Sequence, residues 1–291
     1  MRAAEKHGAF DACHAIVPAA CFLAVVCLTM FCVQPVLVAI SLAGALGFSA
    51  LARGLRATAS GLRWQLPMLA LVCLANPLFS ASGSTLLLSV GPIRVYLESL
   101  AYGACMGALM VSVVVWLEDA ACVLTQDRLL ALGHGRAASV SLLVSMASQL
   151  APQLLRRSRG VRASLDACTA AGTAPSSTSR LTRVTTQLMV WSLEDSLERA
   201  DAMRARGWES GARRTCYRPE RLRGSDVLSV CGVALLAVLC AVLAAAACGQ
   251  WRFYPTMPVL RPWWGYVPYA ALMLLPCAAA LTERFRWRSF E

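Results

Sequence analysis

Thirteen cysteines, three histidines and sixteen carboxylates are the side chains through which this chain could bind a metal or carry acid–base or nucleophilic chemistry. Their spacing assembles none of these. No Cys-x-x-Cys pair occurs, no Cys/His group has zinc-ligand spacing, and His7, His14 and His134 are scattered. The sequence has no His-Glu-x-x-His, no paired membrane aspartates and no Ser/Lys or Ser/His arrangement at useful spacing. Most cysteines, Cys21, Cys27, Cys32, Cys73, Cys105, Cys231, Cys240 and Cys277 among them, lie inside apolar blocks, where a thiol acts as a small apolar filler. Asn76, Glu98, Glu118 and Asp119 are polar residues within or at the edge of such blocks, which makes each a functional candidate. Glu118-Asp119 ends its block, where water is close, and Asn76-Pro77 reads as a helix end. What remains is a concentration of arginine: residues 151–223 carry fourteen arginines and seven acids.

The elements that must position these residues are set by composition. With 58% hydrophobic and 15% charged residues and a mean hydropathy of +0.58, the chain is too apolar for an ordinary soluble domain. Residues 15–51 contain no charge and are long enough for two spans, with Gln34-Pro35 as the break. Further apolar blocks run over about 64–80, 97–117, 227–248 and 265–281. Each approaches the roughly 20 residues a helix needs to cross a ~30 Å hydrocarbon layer. The predicted fold class is all-α, a polytopic membrane protein of about six transmembrane helices. Four lie in 1–120, a cytoplasmic insert of amphipathic helices occupies 121–225, and two more lie in 226–291 with a C-terminal tail. The count could be five or seven, because 64–80 and 265–281 are short and 84–91 is also apolar. Arg2 and Lys6 precede an apolar run too long for a signal-peptide core, so that run reads as a retained first span.

Basic residues orient the spans. With the N-terminus inside and six crossings, 24 of the 27 basic residues fall on the cytoplasmic side, and only Arg94, Arg252 and Arg261 fall outside. Both termini and the insert are therefore expected in the cytoplasm. This placement also accounts for the net charge of +11 without nucleic acid, for which no binding motif is present. That Lys6 is the only lysine carries no functional weight.

Within the insert, a first helical stretch is predicted over about Ala137–Cys168. Leu150, Leu154, Val161, Leu165 and Cys168, spaced 4, 7, 4 and 3 apart, share one face. Pro152 should kink or divide it, and Gly172–Ser179 should break the helix. A second stretch is predicted over Arg180–Arg206, with Met189, Leu193, Leu197 and Ala200 on one stripe. Gly207 marks its end, in the left-handed conformation that glycine adopts without a Cβ penalty, and Arg204 and Arg206 complement the negative end of the helix dipole. Such basic amphipathic helices suit either an anionic lipid bilayer surface or a protein groove.

The run Leu197-Glu198-Arg199-Ala200-Asp201-Ala202-Met203-Arg204-Ala205-Arg206-Gly207-Trp208, continued by Gly211, Arg214-Thr215 and Tyr217, resembles the second coupling-helix signature of T components of energy-coupling factor (ECF) transporters. Asn76-Pro77-Leu78-Phe79-Ser80, Gly83, Thr85-Leu86-Leu87 and Leu97-Glu98 are similar to the pattern near that family's third and fourth spans. Ala52-Arg53-Gly54 repeats three letters of the signature without its surroundings. The first coupling helix departs from the family. Ser148-Gln149-Leu150-Ala151-Pro152 keeps the proline, but arginine is missing at Gln149 and again at Cys168, in Ala167-Cys168-Thr169. Arg159 and Arg162 are the nearest candidates to replace it.

The resemblance implies a non-catalytic subunit without cofactor or metal in the plasma membrane of a prokaryote. Its partners would be two cytoplasmic ABC-type ATPase subunits and a small membrane-embedded S component that captures a vitamin or a metal ion such as cobalt or nickel. Ala202, Ala205, Arg206 and Gly207 would dock one ATPase, and Ala167, Cys168 and Thr169 the other in degenerate form. The apolar faces (Leu150, Leu154, Val161, Leu165; Met189, Leu193, Leu197) would hold the two helices together and face the S component. The rival readings are a self-contained permease, which the lack of repeated halves and of a charged pathway disfavours, and a membrane enzyme.

Overall fold

The computed structural model describes residues 10, 13–79, 84–90, 93–126, 128–129, 138–169, 176–208, 210, 222–253, 258 and 263–288. In chain order the elements are α1 (Ile16–Phe31), α2 (Pro35–Ala52), α3 (Leu55–Phe79), β1 (Leu86–Val90), β2 (Ile93–Tyr96) and α4 (Leu97–Val123). They continue with α5 (Ala138–Thr169), α6 (Ser177–Ala205), α7 (Gly224–Gln250) and α8 (Tyr266–Arg288). The chain folds as two units, one of Met1–Leu132 with Glu220–Glu291, the other of Gly133–Pro219.

Among the described residues five helices are long and apolar enough to cross a membrane: α2, α3, α4, α7 and Tyr266–Glu283 of α8. At 16 residues α1 is shorter, about 24 Å at 1.5 Å per residue. It is apolar throughout and packs against α4 and α7. The outward surfaces are apolar too. Leu23, Phe31, Leu71, Leu74, Leu235 and Val242 are exposed, and only 11% of the apolar window of α3 is buried. Helices with bare leucine on the outside and small or aromatic residues inside suit a lipid surround. The helical, polytopic membrane class predicted from composition is the one observed.

Chain breaks follow local chemistry. Residues 32–34 are non-helical and Pro35 opens α2 at its first turn, where a missing N–H costs nothing. Asn76-Pro77 does not end α3; the helix continues to Phe79, and Asn76 Nδ2 donates to Ser99 O at 3.2 Å. The apolar run at 84–91 is not a span. Leu86–Val90 is a strand paired antiparallel with Ile93–Tyr96, with a bulge at Leu86/Leu88. Eight residues are too few to cross as a helix, and in the sequence a Gly-Pro pair separates the two β-prone runs, a pairing that disfavours a continuous helix. Glu98, in the first turn of α4 and 3% exposed, holds the hairpin's entry. Its carboxylate accepts from Ser84 Oγ at 2.8 Å, Thr85 Oγ1 at 2.5 Å, Ser84 N at 3.3 Å and Thr85 N at 3.1 Å.

The core joins α1, α2, α4, α7 and α8. Phe22, Phe48 and Trp116 meet edge-on or stacked, with centroids 5.5–6.4 Å apart. Beside them Ser41 bonds Thr29 at 2.8 Å and Ser112 at 3.0 Å, and accepts from Trp116 Nε1 at 3.1 Å, so these three hydroxyls in the apolar interior satisfy one another. Small residues let backbones approach. A Cβ on Gly44 of α2 would lie 3.0 Å from Met273 O of α8, and one on Gly103 of α4 would lie 2.9 Å from Cys73 O of α3.

Candidate docking helices

In the second unit α5 lies within one residue of its predicted limits, while α6 starts three residues earlier than predicted. Pro152 does not divide α5, which runs unbroken for 32 residues. One lost backbone bond, about 3 kcal/mol in a helix interior, does not outweigh two full flanking segments. Predicted as a break up to Ser179, the linker is helical from Ser177. Ser176 caps the helix by accepting from Ser179 N at 3.4 Å, which moves the start three residues earlier. Residues 170–175 lie outside the described residues.

The two helices form an antiparallel hairpin joined largely through polar groups. Arg180 of α6 pairs with Asp166 of α5 near the linker. In the middle, Arg157 Cζ sits 4.3 Å from the centroid of the Trp191 ring, a cation–π contact. At the far end Arg199 Nη2 donates to Gln153 Oε1 at 2.5 Å while its Nε meets Asp195 at 2.6 Å. Val184, 3% exposed, is the buried apolar residue of α6. A cleft of about 1130 Å³ runs between the helices, lined among others by Arg156, Val161, Leu165, Arg183 and Trp191.

This geometry redistributes the predicted apolar faces. Leu150, Leu154, Val161 and Leu165 of α5 are half-buried. Met189, Leu193 and Leu197 of α6 are 67%, 66% and 68% exposed, so they do not hold the hairpin together. The face α6 turns inward carries Val184, Leu188, Trp191, Asp195 and Arg199 instead. The periodicity was ambiguous because α6 carries two apolar stripes, and the one that packs is interrupted by charges satisfied in place. Trp191, seven residues after Val184 and two turns before Glu198, was the available signal.

At its C-terminus α6 closes in a Schellman motif. Gly207 has φ +81°, the left-handed conformation expected of it. Gly207 N donates to Arg204 O at 2.9 Å and Trp208 N to Met203 O at 3.0 Å, which satisfies carbonyls the helix leaves open. Met203 and Trp208 are half-buried, while Ala202, Ala205 and Arg206 are exposed. The tip is therefore a slim, capped helix end presenting the guanidinium groups of Arg206 and of Arg204, the latter 3.9 Å from Asp201. At the end of α5, Ala167 and Cys168 are exposed, Cys168 lines the cleft, and the helix stops at Thr169. Gln149 is exposed. Gly211, Arg214, Thr215 and Tyr217 lie outside the described residues.

Two further expectations change. Asp119, placed where solvation should be easy, is 0% exposed. Arg53, read only as a topology signal, donates to Glu118 Oε2 at 2.6 Å and lies 3.7 Å from Asp119. Its hydrogen bond to Glu118 pushes the Arg53 pKa further above the ordinary arginine value, against the opposing effect of burial. Also missed in the sequence was Gly103-Ala-Cys-Met-Gly107, a Gly-x-x-x-Gly stripe whose two glycines both face α3. Among the described residues no group of three or more His, Cys, Asp or Glu is placed to hold a metal. No family model matches the chain, and no curated protein matches it.

Proposed function

We propose that the chain is a coupling subunit like the T component of an ECF transporter. It would pass ATP-driven motion from two cytoplasmic ATPases to a small membrane S component that carries a vitamin or metal ion. The observation that carries this reading is the tip of α6, where the signature-like run Leu197–Trp208 ends in an exposed Arg206 at a helix end whose backbone is capped through Gly207. A guanidinium fixed at a helix end can donate several hydrogen bonds to a carboxylate or carbonyl set, each contributing roughly 1.5–3 kcal/mol. Ala202 and Ala205 keep the tip narrow, and Gly207 turns the chain away from the groove it would enter.

On this reading six helices cross the plasma membrane of a prokaryote, α1 included, with both termini and the α5–α6 hairpin in the cytoplasm, as the arginine distribution favours. The hairpin would move as one lever, because its two helices are cross-tied at three levels by Arg180, Arg157 and Arg199. The exposed Met189, Leu193 and Leu197 would face the S component. The absence of arginine at Gln149 and Cys168 would make the attachment asymmetric, with α6 the more conventional contact.

Affinity purification of the tagged chain from its own host tests the proposal. Two ABC-type ATPase subunits should co-purify with the wild type, and Arg206→Ala should lower their yield without lowering that of the chain. An Arg206→Ala chain that recruits the ATPases and supports uptake at full rate would sink the role given to the tip. Transport by the purified chain alone in liposomes would establish the permease reading instead.

A further inference from the structure

The cleft between α5 and α6 carries more positive charge than the hairpin neutralises. Of the arginines that line it, Arg199 is matched by Asp195 at 2.6 Å. Arg156, Arg157 and Arg183 also line it, and none of them forms an ion pair among the described residues. Arg156 Nε donates to Pro152 O of its own helix at 3.3 Å. Arg157 lies over the Trp191 ring, a contact through the guanidinium face that leaves its N–H edge able to donate. Glu194 and Glu198 of α6 do not line the cleft.

These unmatched charges stand at two levels. Arg157 crosses to Trp191, with Arg156 beside it in sequence. Arg183 comes eight residues before Trp191 on α6, about 12 Å along the axis at 1.5 Å per residue. Thr186 and Gln187 line the cleft between the two levels, and the half-buried Val161 and Leu165 line it from α5. The lining of α5 runs from Gln153 to Cys168, about 22 Å. Spread over that length, a volume of about 1130 Å³ has a mean cross-section of about 50 Å², roughly half that of a helix 10–12 Å across.

This geometry selects among anions. A lipid headgroup or a free phosphate gathers its charge at one point, whereas guanidinium groups stand here at both levels. The section is too narrow for a helix and suits an extended chain. In an extended chain successive side chains alternate between faces, so residues four apart share a face at about 13 Å. Carboxylates at that spacing match the two levels. Side chains between them that point the other way would meet Val161 and Leu165, and Thr186 and Gln187 can pair with the backbone N–H and C=O groups of the incoming segment.

We infer that the α5–α6 cleft binds an extended acidic segment of a partner protein, two carboxylates four residues apart meeting Arg183 at one level and Arg156 with Arg157 at the other. This site is separate from the Arg206 tip and stands whether or not the chain couples an ATPase.

The test uses the whole chain purified in an uncharged detergent. The probe is a rhodamine-labelled peptide, Ser-Glu-Val-Ser-Val-Glu-Ser with blocked ends, titrated with the chain and followed by fluorescence anisotropy. The peptide should bind, and its affinity should fall about tenfold or more in the double variant Arg156→Gln, Arg183→Gln, the factor that one charge-assisted hydrogen bond corresponds to. The double variant Arg159→Gln, Arg162→Gln removes the same charge from exposed positions of α5 outside the cleft and should leave binding nearly unchanged. On the wild-type chain, which decides even where a variant folds poorly, the peptide with glutamine for both glutamates should not bind. Equal losses in the two double variants would reduce the cleft to part of a general positive field and overturn the inference. So would absence of peptide binding, or equal binding of a peptide with its two glutamates adjacent. Binding of pyrophosphate or phosphatidylglycerol, but not of the peptide, that is lost in the cleft variant would overturn it in favour of a phosphate ligand.

Discussion

Arg53 Nη1 lies 2.6 Å from Glu118 Oε2, which fastens the turn between α2 and α3 to the last part of α4. Gln65 of α3 donates to the other oxygen of the same carboxylate at 3.1 Å. Glu118 thus gathers two neighbouring segments, and the guanidinium it holds is also the nearest positive charge to the buried Asp119. Replacing Arg53 removes a charge-assisted bond and leaves Asp119 without its counter-charge. Arg53→Ala should destabilise the chain by about 2 kcal/mol, since hydrogen bonds to charged groups contribute roughly 1.5–3 kcal/mol. Arg53→Lys should recover part of the loss. Thermal unfolding of the detergent-solubilised chain followed by circular dichroism reads this, and an unchanged midpoint in Arg53→Ala would show that the fastening contributes nothing.

Close approach of α3 and α4 rests on Gly103 and Gly107. A Cβ at Gly103 would sit 2.9 Å from Cys73 O and 3.0 Å from the Asn76 Cβ; at Gly107 it would sit 3.1 Å from Leu69 O. Backbone atoms cannot move aside as a side chain can. Gly103→Ala should therefore cost about 1–3 kcal/mol by overpacking. At Gly232 of α7, where nothing lies within 4 Å, the same change should be neutral or stabilising, by up to about 1 kcal/mol. Unfolding in mixed micelles with increasing sodium dodecyl sulfate compares the pair. Equal midpoints for the two variants would refute the packing argument.

These positions show what the sequence makes legible and what it does not. Runs such as 35–52 and 224–250 declare themselves, because the solvent that must surround them is apolar and the chain is apolar all round. Gly207 was readable because a helix end that needs a positive φ has one cheap residue for it. The environment of Asp119 was not readable, since its burial depends on Arg53, a partner 66 positions away. Nor was the inward face of α6. Its contacts are a guanidinium over Trp191 and an Arg199–Gln153 bond, and neither follows an apolar periodicity. The strand at 86–90 was hidden for a third reason. Its leucines satisfy any hydropathy window, and only the Gly-Pro pair that follows them in the sequence argues against a short span.

Glu98 gives a local prediction. Its carboxylate accepts from two backbone amides and two hydroxyls at Ser84 and Thr85, while Leu97 N donates to Thr85 O at 3.0 Å. Glu98→Ala leaves all four donors without this acceptor, and Glu98→Gln turns an amide NH₂ toward them. Hydrogen–deuterium exchange should quicken at the Ser84 and Thr85 amides in both variants, with the larger change in Glu98→Ala. The loss corresponds to about 1–3 kcal/mol of local stability, the penalty for an unsatisfied polar group. Exchange as slow as in the wild type would mean that the hairpin's entry is held by other contacts.

The two apolar stripes of α6 separate the stability of the hairpin from whatever covers it. Val184 and Trp191 face α5, and Trp191 receives the Arg157 guanidinium at 4.3 Å. Met189, Leu193 and Leu197 stand two-thirds exposed on a different face. Trp191→Ala should loosen the pairing of α5 and α6, because it removes both a large half-buried surface and a cation–π contact worth about 0.5–1 kcal/mol at an exposed site. The triple change Met189→Gln, Leu193→Gln and Leu197→Gln removes no contact of the hairpin and keeps residues with good helix propensity, so it should leave the pairing intact. A spin-label pair at the half-buried Ser158 and the exposed Ser196 reads the helix–helix distance by electron paramagnetic resonance. The distribution should broaden for Trp191→Ala and stay at the wild-type width for the triple variant. Broadening by the triple variant would place Met189, Leu193 and Leu197 inside the hairpin contact after all. If the distribution stays narrow while co-purification of a small membrane protein is lost, the exposed stripe is a partner surface, separable from the Arg206 tip that contacts the ATPase.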